Sequence, residues 1–212
     1  MSDIFQKNMN AGLSRFPLLF RKILDIDYAS IDVVRTQDGG YCYARNNAGK
    51  LVPISNHIDP LQSTQSALTK MQHRIGNGLA PAVVIGLNPG FLLEIVFRHF
   101  NSRVQLGEPF RRIYVIIDSV ECLAGWLKAA DRTEILLKNE VEFYWHEDIG
   151  AMVEVCEKDE QRSHLFIPVS SLSESLMEKI MQPLANLYLK RQKETELWLR
   201  LNEEYYDQLD DV

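Results

Sequence analysis

The sequence contains no apolar run near the ~20 residues that a membrane-spanning helix requires. Its first residues also lack the basic, then apolar, then small-residue order of a secretory signal, so a cytoplasmic location is expected. Cysteine is scarce: Cys42, Cys122 and Cys156 are far apart and form no C-x-x-C pair. That usage fits a reducing compartment and argues against a zinc site. Positive charge is in deficit, with a net charge of −6. Binding to nucleic acid or to an anionic membrane would require clustered Lys and Arg instead. Also missing are a G-x-S-x-G elbow, a Walker lysine and H-x-x-x-H spacing. His57, His73, His99 and His164 are isolated, and no internal repeat or low-complexity tract occurs.

What remains is ordinary globular composition, 46% hydrophobic and 25% charged over 212 residues. That length allows one sizeable core and a small accessory unit. The chain is organised around PAVVIGLNPGFLLEIVFRH, residues 81–99. The run 82–85 is apolar without alternation, as in a strand buried on both faces. Gly86 and Gly90 permit a tight turn, and Pro89 suits the first turn of the helix that follows. This is the pattern of the first strand, turn and helix of a Rossmann-like sheet, whose ligands lie at the carboxyl ends of its strands.

In chain order, residues 3–24 read as an amphipathic helix kinked or divided at Pro17. Residues 30–34, 41–45 and 51–54 read as short strands, joined through Asp38-Gly39-Gly40 and through a second turn at 46–50. Asp59-Pro60 opens a helix over 61–74, and residue 60 marks the expected boundary of this N-terminal unit. Core strands are expected at 82–85, 112–117, 141–145 and 164–169, with helices ending near Phe100 and spanning 120–130, 133–138 and 149–157. Residues 101–109 read as a polar loop. The alternation predicts an α/β fold with a mainly parallel, Rossmann-like (methyltransferase-like) sheet over 61–172. A helical extension over 173–212, interrupted at Pro183, carries two apolar patches, Leu184-Leu187-Tyr188 and Trp198-Leu201-Tyr205. Between them KRQKETE (190–196) is polar all round. Such an extension either folds back on the core or meets a further domain or a second copy.

Three groups of residues could carry chemistry. Gly86, Asn88 and Gly90 occupy the places of a G-x-G-x-G loop, which brings a nucleotide or S-adenosylmethionine close to bare backbone; any tight strand-to-helix turn selects the same residues. Asp118, at the end of the second core strand, could accept both hydroxyls of a ribose or could cap the next helix, as could Ser119. His146, Glu147 and Asp148 end the third strand, where they could serve acid–base chemistry, bind a metal, or simply form a solvated loop and favour a helix dipole. Trp126, Trp145 and Trp198 read as core or interface residues.

With these residues in view, the chain resembles the N-terminal part of the motility accessory factor (Maf) family of bacterial flagellin glycosyltransferases. The likeness rests on residues 4–20, on Asp38-Gly39 leading to Ser55-Asn56-His57-Ile58-Asp59-Pro60, and on the strand–turn–helix at 83–97. Two departures stand out: residues 62–67 lack the family's Glu-Ala, and Asn88-Pro89 replaces part of its G-x-G-like turn. The resemblance implies a β-unit plus a Rossmann-like domain without catalytic residues, next to a downstream glycosyl-transfer domain. The competing reading is an S-adenosylmethionine-dependent methyltransferase. Against it, Val84 stands where such enzymes carry an acidic residue, and it cannot bind the cofactor's amino group.

Overall fold

The computed structural model describes residues 3–38, 40–54, 81–87, 91–158, 165–168 and 174–210. The expected helix at 61–74 and the expected domain boundaries near 60 and 172 lie outside these residues. The chain divides into two compact units, Met1–Asp148 with Ser163–Leu172, and Ile149–Arg162 with Ser173–Val212.

The first unit opens with α1 (Asp3–Arg15) and α2 (Pro17–Arg21). Pro17 divides them at the first position of α2, where its missing N–H costs nothing. Gly12 makes the tight turn possible: a Cβ there would stand 1.9 Å from the Phe20 ring. An antiparallel sheet follows in the order β1 (Ile31–Arg35), β2 (Tyr41–Asn47), β3 (Lys50–Pro53). The β2–β3 hairpin turns on Ala48 and Gly49, both at positive φ (51° and 86°), which matches the twist of a two-residue hairpin.

The larger sheet contains β4 (Ala82–Ile85), β5 (Ile113–Ile117), β6 (Val141–Trp145) and β7 (Leu165–Pro168). Its order is β6-β5-β4-β7, and every pairing is parallel. The non-alternating run at 82–85 therefore occupies a central strand, and all four of its side chains are buried. Side chains alternate across a strand. Ala82, Val84, Ile113, Val115, Ile117, Val141 and Phe143 share one core with Phe5, Met9, Phe20 and Ile23 of the N-terminal segment. Val83, Ile85, Tyr114 and Ile116 point the other way and are equally buried. Burial on both faces is the rule for parallel sheets. The same core takes in α3 (Phe91–Gln105), α4 (Val120–Ala129) and α5 (Thr133–Leu137). The small β-unit and the parallel sheet thus share a single core.

The second unit pairs α6 (Ile149–Lys158) with α7 (Glu174–Asp210). The polar stretch after Leu187 is exposed at Lys190, Gln192, Lys193, Glu194 and Glu196, and Lys190 pairs with Glu157 at 3.2 Å. Among the described residues no helix is long and apolar enough to cross a membrane.

Two expectations are corrected. Helix α3 does not stop near Phe100 but continues to Gln105 through the segment read as a polar loop. Its exposed face tolerates Asn101 and Ser102, and the chain stops only where Gly107 adopts φ +87°. There Glu108 N–H donates to Arg103 O and Gly107 N–H to Val104 O, a Schellman ending. Helix α7 is not interrupted at Pro183 but runs through it for 37 residues. Proline removes one N–H, that bound for the Lys179 carbonyl, while the flanking turns of so long a helix keep their own bonds.

Candidate functional site

In this strand order the chain leaves β4 to one side for β5 and returns to its other side as β7. Open parallel sheets bind ligands at the carboxyl ends of their strands, next to such a reversal. Gly86 follows β4 directly, at φ +86°. That conformation places its N–H on the Ile116 carbonyl at 2.8 Å, which extends the β4–β5 ladder by one bond. Leu87 turns its side chain back into the core. Asn88 and Gly90, with Pro89, lie outside the described residues.

Asp118 follows β5 at the same rim. Its capping alternative falls to Ser119, whose Oγ accepts from Cys122 N–H at 3.2 Å. Asp118 is therefore free of the helix-capping role. Burial raises its pKa above the ordinary carboxylate range; the backbone N–H groups of Asp118, Leu87 and Ser119 and the nearby His146 oppose that rise. Its Oδ1 is fully buried and, among the described residues, has no hydrogen-bond partner. Such an acceptor is costly to leave unmade. Burial, and next the Asp118 charge, pushes the Cys122 thiol up to about 12, so it is no nucleophile at neutral pH.

His146 follows β6, and the electrostatic contact with Asp118 joins it to the rim. Its ring lies 4.3 Å from that of Trp145. Glu147 is exposed and accepts from Trp145 Nε1 at 3.1 Å, so it buttresses the end of the strand. The rim thus brings together Gly86, the Leu87 amide, Asp118 and His146. Among the described residues no cluster of His, Cys, Asp and Glu could hold a metal. Val84 is fully buried.

A second constellation has no local signature in the sequence. Arg132, just past the C-terminal end of α4, is 5% exposed. Its Nη2 meets Glu94 Oε1 of α3 at 2.6 Å and donates to the Tyr41 hydroxyl of β2 at 2.5 Å. Tyr41 in turn donates to Glu94 Oε1 at 3.1 Å. Burial, with the Glu94 charge adding to it and Arg132 opposing, lifts the Tyr41 phenol well above its ordinary value. The guanidinium lies 5.2 Å from the Trp126 ring, and Asn8 Oδ1 accepts from Arg132 N–H at 2.7 Å.

Compared with known proteins, the chain matches no family model, no curated protein and no solved structure.

Proposed function

We propose that the chain is a Rossmann-like module that binds a nucleoside-type ligand at the carboxyl rim of its parallel sheet. In this reading it is an accessory, non-catalytic body that positions a partner domain in protein glycosylation, as the resemblance to the N-terminal part of Maf-type transferases implies. The observation that carries the reading is the Oδ1 of Asp118, buried and unpartnered among the described residues, beside Gly86 at the end of β4. An acceptor held in that state suits a donor brought by a ligand, such as a ribose hydroxyl. The central position of β4 in an all-parallel order supports it. The methyltransferase reading shares Asp118 but loses its amino-group partner, because the side chain in that place, Val84, is sealed in the core.

Calorimetric titration with UDP, CMP, AMP and S-adenosylhomocysteine tests this reading. Binding of one nucleotide that weakens by about tenfold or more in Asp118→Asn supports it. Silence from all four ligands at millimolar concentration sinks it, and binding of S-adenosylhomocysteine alone favours the methyltransferase. Exposed Leu189 and Leu197 on α7 are the candidates for contact with a partner domain or a second copy. Light scattering of the full chain and of a Leu189→Glu/Leu197→Glu variant separates self-association from a monomer.

A further inference from the structure

The Glu94–Arg132 pair is costly to maintain. Two charges taken from water regain little net stability from each other, and an apolar pair of similar volume commonly does as well. What such a pair supplies instead is direction. Helix α3 otherwise rests on Leu92, Leu93, Val96, Phe97 and Phe100, apolar contacts that resist separation but permit small slides and rotations. A charge-assisted contact of 2.6 Å, closed by a third group in Tyr41, does not. Glu94 is the fourth residue of α3, so it pins the first turn, which begins five residues after Gly86.

We propose that Glu94 and Arg132 are positioning residues for the rim site: their buried ion pair, closed by Tyr41, fixes the first turn of α3 relative to Gly86 and Asp118. This rests on the ligand-binding reading of the rim. The two are separated by measuring the helix directly as well as the ligand. The variant is Glu94→Leu/Arg132→Met, which removes both charges together and retains volume. Its readouts are the thermal midpoint, amide hydrogen exchange along α3, and titration with the same nucleotides. The expected result is a folded protein in which the amides of Ile95 to Phe97, bonded to first-turn carbonyls, exchange about tenfold faster. Exchange at residues 101–105 stays as in the parent, and nucleotide affinity falls by about tenfold. Unchanged exchange at 95–97 in the folded variant overturns the proposal and leaves the pair a packing element. Should the parent bind no nucleotide, the rim reading fails, and the exchange result alone decides the positioning role. Should the double variant not fold, Tyr41→Phe, which keeps both charges, decides it: faster exchange confined to 95–97 supports the proposal, and none refutes it.

Discussion

Asp118 is a carboxyl group kept where its charge is disfavoured. Its folded pKa is raised above the ordinary 3.8 chiefly by burial. Its contribution to stability is thus fully present below the unfolded pKa and is lost as pH rises through the folded pKa. Asp118→Asn keeps one acceptor oxygen and removes the charge, so its thermal midpoint should exceed that of the parent at neutral pH. The gap should close as pH falls below 3.8, where the carboxyl is protonated in the folded and the unfolded chain alike. Thermal denaturation across that range checks it, and a gap independent of pH would contradict the assignment. Gain of stability with loss of ligand affinity is the signature of a residue kept for function. This acid was legible in the sequence because it ends a predicted core strand. His146 was legible for the same reason, whereas its contact with Asp118 depends on β6 lying beside β5. Arg132, Glu94 and Tyr41 left no such trace, since they come from three elements far apart in the chain and meet only in the folded core.

Among the elements, α4 is the one on which the first unit converges. It contacts α1, β1 and β2. The approach of β2 depends on Gly125, where a Cβ would stand 2.5 Å from the Tyr43 ring. Both groups are buried, so Gly125→Ala should cost about 1–3 kcal/mol through overpacking, measurable by denaturant unfolding. Lys128 ties the same helix to the N-terminal unit by donating to Tyr28 O and Ile31 O, each at 2.7 Å. In α7, Pro183→Ala should restore the bond to the Lys179 carbonyl and stabilise that helix by up to about 3 kcal/mol, seen as a higher far-ultraviolet melting midpoint. The length of α3 was misjudged because Asn, Ser and Gly are turn formers by local chemistry. On the exposed side of a helix already anchored by its apolar face they are tolerated, and the stop came from one glycine's left-handed backbone.

For the whole molecule, the decisive feature is that the N-terminal segment shares its core with the parallel sheet. Phe5, Met9, Phe20 and Ile23 are almost wholly buried in it. Each contributes about 1.5–3 kcal/mol by burial. Arg15 adds a polar tie, donating from Nη1 to Leu136 O at 2.9 Å, at the C-terminal end of α5. Together these approach the ~5–15 kcal/mol that holds a typical domain folded. Removal of residues 1–24 should therefore abolish cooperative unfolding of the first unit, with loss of near-ultraviolet circular dichroism. A truncated chain that still unfolds sharply would show that the sheet stands on its own.

Local chemistry alone settled much here: the central apolar strand at 82–85, the hairpin at 48–49, the break at Pro17 and the acid that ends β5. Each depends on neighbours within a few residues, on side-chain alternation, on allowed φ or on a missing N–H. Tertiary structure alone decided that α7 passes through its proline and that one core joins the small sheet to the large one. It alone also buried an arginine against a glutamate and a tyrosine. Those outcomes turn on what lies across the core, where burial and ion pairing act between residues that no local pattern connects.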